Sequence, residues 1–178
     1  HKEGDIPRDA EVGLVLDKTC FYAEAGGQVG DTGLVMANGA RFVVEATIKV
    51  GNTVIHRGKL AEGSFRVGQR VTAQVSVDRN ATRKNHTATH LLQWALQQVL
   101  GKSAQQQGSY VGPDYLRFDF TYPKAPTADE LNEVERLVRQ RIGDDLPVTW
   151  TVLPRQEAEK LGAMALFGEK YGNEVRVV

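Results

Sequence analysis

His86 and His90 are the residues whose type and spacing point most directly to chemistry. Residues four apart on a helix lie one above the other on the same face, so two imidazoles at this spacing can reach one metal ion. Thr87, Thr89 and Gln93 surround the pair with uncharged hydrogen-bonding groups, which suit the surroundings of a zinc ligand. The alternative is two unrelated histidines on the polar face of a helix.

A metalloprotease site is excluded, although it uses the same histidine spacing. Such a site needs a glutamate directly after the first histidine as general base, and residue 87 is threonine. A zinc ion also needs two further ligands. His1 lies at the terminus, and His56 and Cys20 lie in a region of predicted strands, so none of them is a good candidate. If zinc is bound here, the two histidines supply at most half of its ligands, and the sequence as given does not complete the site.

Three other polar residues are weaker candidates. Gln106 lies in a glutamine run that follows the histidine segment, where a loop glutamine could hydrogen-bond an ester or a ribose hydroxyl; a solvated polar loop is the simpler interpretation. Arg117 and Asp119 share one face of a predicted strand, a spacing more typical of a structural ion pair than of a catalytic one. No nucleophilic triad and no pair of catalytic carboxylates is indicated.

The histidine pair is expected on a long helix. Apolar residues recur with a period of about 3.6 from Asp78 to Gly101, which predicts a helix capped by Asp78 or Asn80 and ended by Gly101. A second helix is predicted to open with a capping box at Thr127–Glu130 and to continue to Gly143.

The first part of the chain has the pattern of β structure. Short stretches rich in Val, Ile, Thr and Phe are separated by glycines at 11–18, 40–50, 53–60 and 70–78, and their spacing predicts a small barrel. Later strands are predicted at 115–122, at 148–153 and from 174 onward, with a short helix after Pro154. The predicted class is α+β, in which a β-barrel subdomain (1–78) precedes an α+β subdomain (79–178) whose long helix packs on an antiparallel sheet.

Composition places the chain among ordinary globular proteins. It has 178 residues, 41% hydrophobic and 25% charged, with 22 basic and 22 acidic side chains. No apolar run approaches the roughly 18 residues of a membrane span, and no secretory signal is recognisable, so we expect a cytoplasmic location and no membrane partner. The one basic cluster, Arg79, Arg83 and Lys84, is expected to be a solvated helix end. The chain starts at His1 and ends in an open strand pattern, so we expect part of a longer protein.

Four segments together resemble the editing domain of alanyl-tRNA synthetases. They are the glycine-rich stretch Leu16–Gly33, the histidine segment Asn85–Leu92, the stretch Gln106–Ser109 with Leu116–Phe120, and Gly162–Gly172. They follow the order of that family and span nearly the whole chain. No segment resembles the aminoacylation core of class II synthetases.

The resemblance implies an activity and a set of site residues. Domains of this family hydrolyse the ester of tRNA(Ala) mischarged with serine or glycine, and they bind zinc. His86 and His90 correspond to two zinc ligands, and the two further ligands are expected beyond Val178. The resemblance places Gln106 and Thr89 at catalytic positions, and its motifs provide Gln28, Arg117 and Asp119 as substrate-binding candidates. The implied partners are the acceptor end of tRNA(Ala) and the aminoacylation domain of the same parent chain.

Three alternatives remain open at this point. The chain could be a free-standing trans-editing deacylase, or an inactive RNA-binding fragment of the editing domain. It could also be a metal-independent structural domain with incidental histidines.

Overall fold

The computed structural model describes residues 10–163 and 172–178. Its elements in chain order are β1 (Glu11–Leu14), β2 (Gly33–Ala37), β3 (Ala40–Val50), β4 (Thr53–Glu62), β5 (Thr72–Val75), α1 (Arg79–Leu100), β6 (Gln106–Val111), β7 (Leu116–Phe120), α2 (Ala128–Gly143), β8 (Thr151–Pro154), α3 (Arg155–Lys160) and β9 (Glu174–Val177). The chain divides into two compact units. The first contains the residues up to Asn85 with Tyr110–Tyr115, and the second contains His86–Ser109 and Leu116–Val178.

A five-stranded antiparallel sheet forms the centre of the first unit. The strand order is β1-β4-β3-β2-β5, and β3 pairs with β4 along most of its length. The predicted strands at 40–50 and 53–60 are confirmed, whereas those at 11–18 and 70–78 are shorter than expected. β2 was not predicted. It begins at Gly33, which belongs to the glycine-rich stretch, and glycine is not a residue typical of strands.

The predicted barrel is not closed within the described residues. β1 and β5 are the two edges of the sheet, and each has only four residues. A barrel requires a hydrogen-bonded ladder between its first and last strands. The apolar face is covered instead by Phe21 of the glycine-rich stretch, which is 5% exposed and packs with Val35, Phe42, Val44 and Leu60.

The glycine-rich stretch forms a tight turn that packs against β3. Gly26 and Gly27 have φ values of 58° and 81°, as a type I′ turn requires, and Ala25 and Gln28 exchange backbone hydrogen bonds of 3.2 and 3.0 Å across it. A Cβ on Gly30 would lie 2.0 Å from the carbonyl oxygen of Thr47 in β3. Only glycine therefore allows this close approach of the stretch to the sheet.

The two predicted long helices are confirmed and enclose the core of the second unit. Asp78 immediately precedes α1 and accepts a backbone hydrogen bond of 3.1 Å from Thr82, while Gly101 ends the helix with a φ of 89°. The capping box of α2 is present, with Thr127 accepting from the Glu130 amide at 3.2 Å and donating its own amide to Glu130 at 2.7 Å. The core residues come from α1, α2, β7 and the loop after α1, and they include Ala95, Leu96, Leu100, Ala104, Phe118, Phe120 and Val134.

The remaining elements are two short sheets and a short helix. β6 and β7 form one two-stranded sheet, and β8 pairs antiparallel with β9. The predicted strand at 115–122 and the helix after Pro154 are confirmed. Most of the motif at Gly162–Gly172 lies outside the described residues. Among the residues that the structure describes, no helix is long and apolar enough to cross a membrane.

Candidate functional site

The two histidines of the helix lie side by side in the second unit. His86 and His90 occupy successive turns of α1, with ring centroids 5.3 Å apart and an interplanar angle of 10°. Both side chains are half-buried. Within residues 10–163 and 172–178, no group of three or more His, Cys, Asp or Glu is placed to hold a metal ion. The described part of the chain therefore contributes two adjacent imidazoles to any zinc site there.

Thr89 lies between the two histidines in sequence and is buried, with 7% of its surface exposed. Its hydroxyl donates a hydrogen bond of 2.7 Å to the carbonyl oxygen of His86. Because the single hydroxyl proton is used in this bond, Thr89 Oγ1 can act toward a ligand only as an acceptor.

Gln106 is the first residue of β6, which corrects the interpretation of the glutamine run as a solvated loop. Gln106 is half-buried, whereas Gln105 and Gln107 on either side are exposed. This alternation is that of a strand with one covered face. All three residues of the run are glutamines, so an alternation of polar and apolar residues could not indicate the strand.

Arg117 and Asp119 pair with each other on β7. Arg117 Nε lies 3.2 Å from Asp119 Oδ2, and the two side chains are 65% and 46% exposed. An ion pair at this exposure contributes at most about 1 kcal/mol to stability. Asp119 also lies beside Gly108, where an added Cβ would be 3.1 Å from Oδ2.

Gln28 belongs to the first unit. It follows the Gly26–Gly27 turn and is 8% exposed. Around it, the Val29 amide donates to the Val111 carbonyl at 3.0 Å, and the Val111 amide donates to the Gly27 carbonyl at 2.8 Å. These backbone bonds join the glycine-rich stretch to the end of β6 and fix the backbone that carries Gln28.

His56, which the sequence places in the strand region, has a structural role in the first unit. It is fully buried, and its ring lies 2.7 Å from Thr19 Oγ1 through Nε2 and 3.0 Å from the Leu14 carbonyl through Nδ1. Because a carbonyl can only accept, Nδ1 carries a proton and donates it to the Leu14 oxygen. Both nitrogens are thus engaged inside the unit.

The first unit contains an ion pair that the sequence did not predict. Arg79 is expected from its sequence to be a solvated cation, but its guanidinium contacts Asp31, with Nε 3.2 Å from Oδ1, and also donates to the Cys20 carbonyl at 3.0 Å. Asp31 is 6% exposed. No local pattern links these two residues, so no signal in the sequence indicated their contact.

Asn85 is a second residue of the first unit that the sequence did not single out as an anchor. Its amide nitrogen donates to the carbonyl oxygens of Gly112 and Pro113, at 2.8 and 3.3 Å. It therefore holds the turn that follows β6. Its position directly before His86 was the available signal, since the motif begins with this residue.

Comparisons with known proteins agree with the resemblance seen in the motifs. A family model described as class II tRNA synthetases (A) matches residues 2–79. The matched residues include the glycine-rich stretch and strands β1 to β5, and the match ends at the first residue of α1.

Individual relatives match nearly the whole chain. It is 55% identical over 169 residues to the alanine–tRNA ligase of a strain of Thermus thermophilus, which covers 94% of this chain and 19% of that protein. It is 50% identical over 171 residues to the enzyme of the same name from Sorangium cellulosum, covering 95% of this chain and 19% of the relative. The chain thus spans about a fifth of the length of these relatives. Over nearly all of its length, the chain is therefore similar in sequence to a segment of alanine–tRNA ligases.

Proposed function

We propose that the chain is the editing part of an alanine–tRNA ligase and hydrolyses the ester bond of tRNA(Ala) mischarged with serine or glycine. The observation that carries the proposal is the placement of His86 and His90 side by side on α1, with Thr89 buried beside them. The identity of 55% to an alanine–tRNA ligase over 94% of the chain supports it.

A ligase for alanine needs such a second site for physical reasons. Its amino-acid pocket cannot strongly reject a smaller residue or one with an added hydroxyl, because such differences are worth only about 1 to 3 kcal/mol. A separate hydrolytic site supplies the missing discrimination. No nucleophilic residue is required, because the aminoacyl ester is already activated toward attack by water.

His86 and His90 would hold two coordination positions of a zinc ion. The two further ligands would come from the part of the parent protein beyond Val178. When bound, zinc supplies Lewis-acid chemistry, either to water or to the ester carbonyl. The fit rests on the donor chemistry: two imidazoles one helical turn apart are a common part of zinc sites.

The other site residues would recognise and orient the substrate. Thr89 Oγ1, whose proton is used within the helix, would accept a hydrogen bond from the serine hydroxyl. Alanine has no hydroxyl and would gain nothing from this contact. The Gln106 amide would orient the ester, and Gln28, Arg117 and Asp119 would contact the acceptor end of tRNA(Ala). The aminoacylation domain of the same cytoplasmic enzyme would deliver the mischarged tRNA.

An inactive RNA-binding module is the second candidate. This candidate is favoured by the number of possible metal ligands, since the described residues bring only two of them, His86 and His90, together on α1. A free-standing deacylase has less support, because each of the relatives described above is about five times longer than the matching segment.

The test is release of serine from seryl-tRNA(Ala) by the chain with zinc supplied, measured beside alanyl-tRNA(Ala). His90→Ala removes one proposed ligand, and Gln98→Ala, at an exposed position of α1, is the matched control. We expect selective release of serine that is lost in His90→Ala and retained in Gln98→Ala. If the chain is inactive, the assay is repeated with a protein that extends beyond Val178. Inactivity of the longer protein, or full activity of its His90→Ala variant, would refute the proposal.

A further inference from the structure

Gln93 is a buried polar residue of α1, and its hydrogen-bond partner determines which way its side-chain amide is oriented. It lies one turn after Thr89 and is 6% exposed. Its Nε2 donates a hydrogen bond of 2.8 Å to the carbonyl oxygen of Ala104, a residue with no exposed surface. Because a carbonyl oxygen can only accept, the nitrogen and not the oxygen of the amide must face Ala104.

This bond anchors the segment that leads into β6. Ala104 lies two residues before Gln106. Next to it, the Thr121 hydroxyl donates to the Ser103 carbonyl at 2.8 Å, and the Thr121 amide donates to the Gln105 carbonyl at 2.9 Å. The carbonyl groups of the three residues before Gln106 therefore all accept hydrogen bonds. The middle one, that of Ala104, accepts from Gln93 of α1, the helix that carries the two histidines.

The other end of the Gln93 side chain reduces the net contribution of this residue to stability. Its Oε1 is buried, and it has no hydrogen-bond partner among the described residues. A buried acceptor without a donor costs free energy, whereas an apolar side chain of the same shape would avoid this cost. A methionine at this position would remove this unsatisfied oxygen, but it would also leave the buried carbonyl oxygen of Ala104 without its donor.

We propose that Gln93 is a positioning residue that sets the location of Gln106 relative to His86, His90 and Thr89. The inference rests on the proposed editing function. Gln93 does not contact substrate; it acts through the Ala104 carbonyl. Because α1 and the start of β6 meet through this bond in the second unit, its loss would let Gln106 move while the histidines remain in place.

The test compares Gln93→Met with Gln98→Met, which makes the same replacement at an exposed position of α1. Thr121→Val, which removes the neighbouring hydroxyl anchor, is a second variant should Gln93→Met fail to fold. For each protein we would measure hydrogen exchange of the backbone amides of residues 104–108, the melting temperature and zinc content. We would also measure kcat and KM for seryl-tRNA(Ala), in the form of the protein found active above.

In Gln93→Met we expect amide exchange at 104–108 to accelerate and kcat to fall by about fivefold to tenfold, the effect of one lost hydrogen bond. KM and zinc content should stay within error, the melting temperature should fall by no more than about 4 °C, and Gln98→Met should match the parent. Unchanged exchange would overturn the anchoring role, and faster exchange with unchanged kcat would overturn the positioning role. Absence of serine release from both the chain and the longer protein would refute the editing function itself, while exchange would still report whether Gln93 anchors β6.

Discussion

Arg79, the first residue of α1, pairs with Asp31 of the glycine-rich stretch, with Nε 3.2 Å from Oδ1. The same carboxylate accepts a hydrogen bond of 2.6 Å from the Tyr22 amide, and Arg79 also donates to the Cys20 carbonyl. One buried acid therefore ties both ends of the glycine-rich stretch to the start of the helix. This network fixes the backbone on either side of the turn that carries Gln28.

Asp31→Asn is expected to destabilise the protein strongly. The substitution keeps an acceptor oxygen but removes the charge that compensates Arg79. Because Asp31 is buried while the Arg79 side chain is 34% exposed, the cost should lie between those of a surface pair and a buried pair, at about 2 kcal/mol. The free energy of unfolding in urea measures the effect. Glu62→Gln is the control, because it removes one partner of the exposed Arg41–Glu62 pair and should cost less than about 1 kcal/mol. Equal effects of the two substitutions would contradict the structural role of Asp31.

Gly30→Ala and Gly143→Ala are expected to change stability in opposite directions. The Cβ of an alanine at position 30 would lie 2.0 Å from the Thr47 carbonyl, so the backbone must move, at a cost of about 3 kcal/mol. At Gly143, the last residue of α2, an added Cβ meets nothing within 4 Å, and alanine should stabilise by about 0.5 to 1 kcal/mol. Thermal unfolding of the two variants tests this contrast, and a stable Gly30→Ala protein would be evidence against the close packing on β3.

The capping box of α2 is expected to make stability depend on pH in the acidic range. A hydrogen bond from the Thr127 amide, aided by the Tyr122 hydroxyl, holds the pKa of Glu130 below its ordinary value of 4.5. A lowered folded pKa means that the stabilisation is complete above the ordinary value and is lost as pH falls through the folded pKa. Urea unfolding across this range should show a smaller loss in Glu130→Gln than in the parent. An unchanged slope would mean that other groups dominate.

The side chain of Thr127 provides a separate test of the same cap. Its hydroxyl oxygen accepts from the Glu130 amide, so Thr127→Ala should cost about 1 kcal/mol of stability, and Thr127→Ser should cost little. The free energy of unfolding at neutral pH distinguishes the two. A similar loss in both variants would indicate that the methyl group and not the hydroxyl matters.

Substrate preference is expected to depend on Thr89 and Gln106 together. Replacing both, with Thr89→Val and Gln106→Ala, should lower the ratio of kcat/KM for seryl over alanyl ester by about fivefold or more, since a hydrogen bond to the serine hydroxyl is worth about 1 kcal/mol. Thr89→Ser alone keeps the oxygen and should retain the preference. A ratio that survives the double replacement would remove both residues from recognition of serine.

Local sequence pattern by itself determined the helices of this protein. The apolar period of α1 and its ending at Gly101, and the capping box of α2, involve residues within one or two turns of each other. The order and content of the four motifs likewise pointed to the similarity with alanine–tRNA ligases, because these are properties of the chain and need no folded structure. The same local patterns located β3, β4 and β7.

Only the tertiary structure decided how distant residues meet. Four features depend on partners from other segments of the chain. They are the pairing of Asp31 with Arg79, the packing of Phe21 on the open sheet, the start of β6 at Gln106 and the hydrogen bond from Gln93 to Ala104. A sequence pattern reports which face of an element is apolar. It does not report which distant polar group that face meets, because that choice depends on the free energy of the packed chain as a whole.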